Sequence, residues 1–304
     1  MAAAGRMTGD TAGDVPQVSV IIGTGARRAA LPLALRSTLA NRMANFDVWI
    51  ADMAPESPLP DALPALLEDP RVQLLKMDTT RSAAAHNRAI AEARGGILAI
   101  TDDDCEVAAD WIEAMVGAFD RDPRIGVVFG NVHPASPRDP SIPAYVRATE
   151  FLARDLGDKC RVEGIWACMG VRRRTWEALG GFDERFGHGA RFRGSADADF
   201  AIRALAAGHY VFETPRVSVR SHRSLPPEAH RRAVAGYTYA SGALMGRHLR
   251  DRTPGVLRLV AGLGRRWLAG GTHGALGAPH AVHRARRLMA FLHGVVRGAT
   301  APAD

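Results

Sequence analysis

Short apolar runs alternate with longer stretches in which apolar residues recur at every third or fourth position, and this rhythm fills the first third of the chain. Residues 18–22 (Val-Ser-Val-Ile-Ile) have the length and character of a buried strand, and 31–39 then repeat Leu and Ala at helical spacing. A second run, 48–51, ends in Asp52; a proline-rich stretch and a short helix at 62–67 follow, and 72–75 reads as a third strand. An alanine-rich helix at 82–93 is stopped by Gly95-Gly96. The fourth run, 97–100, opens directly into Asp102-Asp103-Asp104, and a helix starts at Trp111-Ile112. Strands alternating with helices in this way predict a parallel sheet with right-handed crossovers, the first half of a nucleotide-binding α/β architecture.

After a strand at 125–129 the rhythm breaks. Residues 133–143 hold four prolines, and 144–156 then predict a helix laid over the sheet, either shaping a substrate pocket or merely connecting strands. Residues 167–171 and 217–219 supply the remaining strands, with an apolar helix at 200–206 between them. Near the end, a helical projection of 281–297 gathers Val282, Ala285, Leu288, Met289, Leu292, Val295 and Val296 on one side and Arg286, Arg287 and Arg297 on the other. Three regions follow: a disordered leader at 1–15, a catalytic α/β domain at 16–222 and a basic, helical extension at 223–304.

Charge sharpens that division. Of the net +7, residues 223–304 contribute 13 basic and only 3 acidic side chains, so the basicity belongs to the extension. Its amphipathic helix predicts either packing on the catalytic domain or a second subunit, or contact through 280–297 with an anionic membrane surface. No nucleic-acid module is recognisable. The leader has no apolar segment of signal-peptide type, and no run of about 18 apolar residues predicts a membrane span. Three cysteines, Cys105, Cys160 and Cys168, form no CxxC pair, which argues against a zinc site or a disulfide framework. These features predict a cytoplasmic protein, with the inner face of the cell membrane as the alternative station.

Three adjacent aspartates at the end of a buried strand repel one another unless a cation or hydrogen-bond donors neutralise them. The carboxyl end of a parallel strand is also where such sheets bind ligands, so a divalent metal is one reading. The other is a polar turn in which Asp104 or Asp110 caps the next helix. Asp52 reads equally as a turn cap, Gly180-Gly181-Phe182 as a helix C-cap with a buried aromatic, and Asp197 as an N-cap.

Taken together, these residues resemble the family 2 glycosyltransferases of the GT-A fold over roughly residues 16–222. Thr24 after the first strand, Asp52 after the second, Ala85-His86-Asn87, Asp102-Asp103-Asp104, Gly180-Gly181-Phe182-Asp183-Glu184 and Asp197-Ala198-Asp199 with Arg203 stand in that family's order. The resemblance implies a GT-A α/β fold with a mostly parallel nucleotide-binding sheet flanked by helices, extended here by the C-terminal helices. It implies an inverting transfer from a nucleotide-sugar donor to a glycan or lipid-linked acceptor, in surface polysaccharide or glycolipid assembly. Thr24, Asp52, His86, Asn87, Asp102 and Asp103 would bind the donor nucleotide. Asp102 and Asp104, with His222 as a further candidate ligand, would hold Mn²⁺ or Mg²⁺. Asp197 would be the catalytic base, and Gly181, Phe182, Asp183, Glu184 and Asp199 would lie on the acceptor side. Asp199 and Arg203 suit an ion pair that positions Asp197.

The chain departs from the family pattern at Gly23, Ala26, His86 and Ala196, which replace the usual Pro, Asn, Arg and Glu. His86 titrates near neutrality in its unperturbed state, so a diphosphate contact there would weaken as pH rises. Two rival readings accompany the transferase: a sugar-phosphate nucleotidyltransferase, because the segment 23–28 with Leu31-Pro32 resembles that family's glycine-rich loop, and a catalytically degenerate glycan- or nucleotide-binding subunit, suggested by Ala196.

Overall fold

A computed structural model describes residues 15–268 and 281–301, apart from Arg27, Arg138, Pro140, Ser141 and Pro143. The predicted leader lies almost wholly outside the described residues. The first strands are β1 (Val18–Thr24), β2 (Phe46–Asp52), β3 (Val72–Lys76) and β4 (Ile97–Asp102). They are joined by α1 (Leu31–Leu39), α2 (Leu63–Leu67) and α3 (Ser82–Glu92). All three pairings among these strands are parallel. Val20, Ile22 and Ala99 are buried on one face, and Ile21, Leu98 and Ile100 on the other. That explains the unbroken apolar runs: strands covered on both faces have no polar side to alternate.

Beyond β4 the sheet becomes mixed. A short β5 (Cys105–Val107) and α4 (Trp111–Asp120) precede β6 (Ile125–Pro134), β7 (Phe151–Ala153) and a 3-10 turn at Asp158–Arg161. Next come β8 (Cys168–Arg172), α5 (Arg173–Ala178), α6 (Ala196–Ala206) and β9 (Tyr210–Ser221). The nine strands run β3-β2-β1-β4-β8-β6-β9-β5, with β7 paired to β9. β8 is antiparallel to both β4 and β6, and β9 is parallel to β6.

The helix expected at 144–156 does not form. Its backbone is extended: Tyr145 bridges Val132, Asn131 exchanges two hydrogen bonds with the backbone of Arg147, and Phe151–Ala153 pairs with β9. The cause is buried Glu213 on β9. Its carboxylate accepts the Tyr145 hydroxyl at 3.0 Å and the backbone N–H groups of Glu163 and Gly164 at 2.9 and 2.7 Å, and it pairs with Arg147 at 3.0 Å. A buried carboxylate needs such partners: the extended strap brings the Tyr145 hydroxyl and the Arg147 guanidinium to it, and the backbone at 163–164 adds two N–H groups.

The extension is helical as expected: α7 (Pro227–Arg250), α8 (Val256–Leu268) and α9 (Ala281–Thr300). α7 runs against the α/β unit and α9 lies along α7. Leu244, Met245, Val256 and Leu259 join the same apolar core as Phe182, Phe186 and Phe200.

Candidate active site

The register of the first strands brings the sequence candidates to one edge. Gly23 pairs with Asp102 across β1 and β4, and Thr24 with Asp52 across β1 and β2. Beyond that edge the three aspartates divide their work. Asp103 turns toward β1 and accepts a 2.6 Å hydrogen bond from the Thr24 hydroxyl. Asp102 and Asp104 lie together, with one oxygen from each and the Cys105 sulfur all within 4.8 Å of one another. Burial, followed by the charge of Asp104, pushes the Asp102 carboxyl up to about 7. Burial likewise raises Asp103 to about 6, partly offset by the Thr24 bond. Crowded carboxylates that resist ionisation in this way are the donor set a hard divalent cation relieves, since Mg²⁺ and Mn²⁺ favour oxygen ligands. Cys105 fits that role poorly: burial pushes its thiol well above the ordinary range, so it stays protonated, with its sulfur 3.7 Å from Asp104.

His222 does not join this group. Its backbone N–H donates to the Asp104 carbonyl at 2.8 Å, but its imidazole turns to Glu106, 3.3 Å away. The residue after it does point at the aspartates. Arg223 is half-buried, and its positive charge opposes the upward shifts of both Asp102 and Asp103.

Asp197 faces the same cleft from the start of α6, close enough to contribute to the shift on Asp102. Its two oxygens accept backbone N–H bonds from Ala198 at 2.8 Å and Trp166 at 2.9 Å. Burial raises its pKa in spite of those bonds and of the nearby Lys159 ammonium. The N-cap of the helix is Ser195, held at a φ of 65°, so Asp197 lies within the first turn. Ala196, where the family pattern has Glu, is buried against the core and offers no group to a ligand.

Three donor candidates are engaged in ways the sequence does not reveal. Asp52 is buried and bidentately paired with Arg28 at 2.6 and 3.0 Å, and it also accepts the Ala54 N–H at 3.0 Å. A nucleobase would therefore meet an Arg28–Asp52 pair, not a free carboxylate. Asn87 stitches the glycine turn together: its amide donates to the Phe182 carbonyl at 2.8 Å and accepts from the Phe182 N–H at 2.9 Å. His86 is buried against the edge of Trp166, with ring centroids 4.8 Å apart, and its Nδ1 lies 2.8 Å from the Ser82 carbonyl. Burial lowers its pKa to about 4. The expectation that it titrates near neutrality is overturned, because desolvation outweighs the Ser82 bond. The ring is neutral at pH 7, Nδ1 is the donor, and Nε2 is a buried acceptor with no partner. A side chain at Gly23 would collide with Cε1 of this ring, so two departures from the family pattern touch: Gly23 makes room for His86.

The sequence profile described as Glycosyl transferase family 2 matches residues 19–179, more than half of the chain. The chain belongs to glycosyltransferase family 2. Among curated relatives of this transferase, the uncharacterized protein y4gI of Sinorhizobium fredii is 26% identical over 231 residues, which cover 69% of this chain and 25% of that protein. The succinoglycan biosynthesis protein ExoO of Rhizobium meliloti is 31% identical over 107 residues, 35% of this chain and 30% of that one. The transferase thus spans about a quarter to a third of the curated relatives it matches. Two solved structures share the fold. The mannosyltransferase PcManGT of Pyrobaculum calidifontis, described in complex with GDP-Man and Mn²⁺, is 18% identical with a TM-score of 0.61 over 95% of this chain and 88% of that one. TarS residues 1–349 of S. aureus are 12% identical, with a TM-score of 0.58 over 93% and 81% of the two chains. The chain therefore shares the GT-A fold of these two structures, and with membership of glycosyltransferase family 2 the nucleotidyltransferase reading loses its footing.

Around the glycine turn and the start of α6 the motif residues form a lattice. Gly180 and Gly181 adopt φ values of 70° and 81°, which favour glycine, and turn the chain so that Asp183 meets Arg185 and Arg247 at 2.9 and 2.5 Å. Asp199 is wholly buried and accepts from Arg203 at 2.7 Å, Arg247 at 2.7 Å and His248 at 3.1 Å. Burial opposes its ionisation, yet Arg203, His248 and Arg247 hold its pKa well below the usual carboxylate range. The Asp199–Arg203 pair expected from the spacing is present. Glu184 is the half-buried, most accessible carboxylate of the group, 3.4 Å from Arg81. Sequence reasoning missed Arg223, Trp166, Lys159 and Arg247. One signal was available for Lys159: it is one of two lysines in a chain whose other cations are arginine.

Proposed function

We propose that this transferase moves a sugar from a nucleotide-sugar donor to an acceptor hydroxyl by single displacement with inversion, assisted by Mn²⁺ or Mg²⁺ on Asp102 and Asp104. The observation that carries the proposal is Asp197: a lone half-buried carboxylate with a raised pKa, oriented by two backbone N–H groups, across the cleft from the aspartate pair. Its elevated basicity suits a group that takes a proton from a hydroxyl, a contribution of about 10²–10⁴ in rate. As that oxygen bonds the anomeric carbon, the bond to the nucleotide diphosphate breaks and the departing oxygen keeps the electron pair. The bound cation would supply Lewis-acid stabilisation of that leaving group. Asp103, fixed by Thr24, shapes the donor edge; Arg223 adds positive charge beside the diphosphate; and the Arg28–Asp52 pair lies on the nucleoside side. Asn87, Gly181, Phe182, Asp183 and Asp199 act behind this surface by holding the acceptor wall, and Glu184 is the member of that group able to touch the acceptor. The likeness to ExoO supports a glycan or lipid-linked acceptor in polysaccharide assembly.

The test is a thermal-shift panel of UDP, GDP, dTDP and CMP, each with and without Mn²⁺. A ligand at about 100 times its Kd stabilises by roughly 2.7 kcal/mol, so one nucleotide should stand out, and only with the cation. A cation-independent shift would remove Asp102 and Asp104 as ligands. No shift with any nucleotide would favour the degenerate binding subunit.

A further inference from the structure

The face that α9 buries takes only Val295 from the described part of the apolar stripe seen in its sequence. Phe291, Gly294, Val295 and Gly298 face α7, which answers with Gly242 and Gly246. A Cβ on Gly294 or Gly298 would fall on the carbonyl oxygen of Tyr239 or Ala243, and one on Gly242 or Gly246 on that of Phe291 or Val295. The helices therefore meet backbone to backbone, and α9 has no freedom to roll. At about 100° per residue, the stripe Leu288, Met289, Leu292 and Val296 lies roughly 120° around the helix from this seam. These four side chains are 48, 66, 47 and 59% exposed, while Arg286, His293 and Arg297 flank them on the outer edge, all exposed. α8 repeats the pattern: it buries Val256 and Leu259 but leaves Leu257 72% exposed between exposed arginines such as Arg258.

Charge selects what covers this surface. Residues 252–303 contain eight arginines and no aspartate or glutamate. A second copy of the chain laid face to face would oppose arginine to arginine, whereas an anionic bilayer offers phosphates to the cations and acyl chains to the apolar stripe. No helix among the described residues is long and apolar enough to cross a membrane, so the contact lies in the plane of the surface. We infer that α9 docks this enzyme on an anionic lipid bilayer, with Leu288, Met289, Leu292 and Val296 at the headgroup–acyl boundary and Arg286 and Arg297 on the phosphates. Because α7 carries α9 and also holds Asp183 and Asp199 through Arg247, docking fixes the acceptor wall relative to the membrane. A lipid-linked acceptor follows, a step that rests on the transferase mechanism proposed above.

The experiment is co-sedimentation of the full chain with vesicles of phosphatidylcholine plus phosphatidylglycerol, against phosphatidylcholine alone. Binding is expected with the anionic vesicles only. It should fall on the order of tenfold or more in a Met289→Ser/Leu292→Ser double variant and lose its salt sensitivity in Arg286→Glu/Arg297→Glu. All four positions are exposed, so an unchanged melting temperature certifies the fold. Failure to pellet, or equal pelleting of wild type and variants, overturns the inference. So does a dimer in sedimentation velocity that Leu292→Ser dissolves in the absence of vesicle binding. The nucleotide panel on the same samples keeps the two claims apart. A nucleotide shift without vesicle binding removes only the docking, and vesicle binding without a nucleotide shift removes only the transferase mechanism.

Discussion

Asp197 and Asp199 stand two residues apart at the start of one helix and live in opposite environments. Asp199 is enclosed by Arg203, Arg247 and His248 and is held ionised far below the ordinary range. Asp197 has two backbone N–H groups and the field of a single lysine, and its pKa is raised. The first is satisfied and immobile; the second keeps an unspent affinity for a proton. The same contrast separates the two halves of the cleft. The side around Gly181, Asp183 and Asp199 is a closed lattice of paired charges, and the edge formed by the ends of β1, β2 and β4 gathers like charges and an unpartnered imidazole nitrogen. Within one motif, then, a carboxylate that has all its partners supports the site, and one that lacks them can do its chemistry.

The sharpest way to break this comparison is to neutralise each carboxylate in turn. Asp197→Asn should reduce transfer by about 10²–10⁴ while leaving the melting temperature and nucleotide affinity near wild type, measured by initial rates and thermal shift. Full activity in this variant would remove Asp197 as the base. Asp199→Asn should do the reverse first: removing one member of a buried ion-pair cluster costs about 3–5 kcal/mol of stability, read as a lower denaturation midpoint. An unchanged midpoint would mean that the lattice is not what holds the wall.

His86 extends the contrast to pH. Its native pKa, near 4, lies below the unfolded value of about 6.5, so between these values the unfolded chain binds more protons and stability falls as pH drops. The loss should approach 2–3 kcal/mol, on the order of 1.4 kcal/mol per unit, and should shrink in His86→Gln. A wild-type stability profile that is flat across this window would place the ring in solvent. The smallest effect expected is at Gly23. Gly23→Ala must displace the His86 ring and should cost about 1–3 kcal/mol, and combining it with His86→Ala should recover most of that cost. Additive effects in the double variant would show that the two positions are independent.

The donor half was legible in the sequence because its determinants are local. Each of β1, β2 and β4 is a mostly apolar run that ends at a polar residue of the site, and parallel pairing aligns those ends without further information. The acceptor half was legible as motifs but not as contacts. Nothing near Asp199 announces Arg247, 48 residues on, and nothing near Tyr145 announces Glu213, 68 residues on, whose buried carboxylate turns an expected helix into a strand. His86 was misread for a related reason: its titration is set by the Trp166 ring and the bare backbone of Gly23, neither of them a neighbour in sequence. The apolar stripe of α9 was visible, but the side that packs was not, because glycine carries no weight in a hydrophobic projection and yet decides where two backbones can touch.

The bond from Arg247 to Asp183 and Asp199 also bears on how such an enzyme can evolve. A cut between residues 222 and 223 looks like a natural module boundary, yet an α/β unit inherited without α7 would leave Asp183 with Arg185 alone and Asp199 with Arg203 alone, without Arg247 and His248. Exchange of tails would therefore favour donors that bring an arginine and a histidine to the same turn. Variation should accumulate in α8 and α9, while α7 descends with the α/β unit as one heritable block.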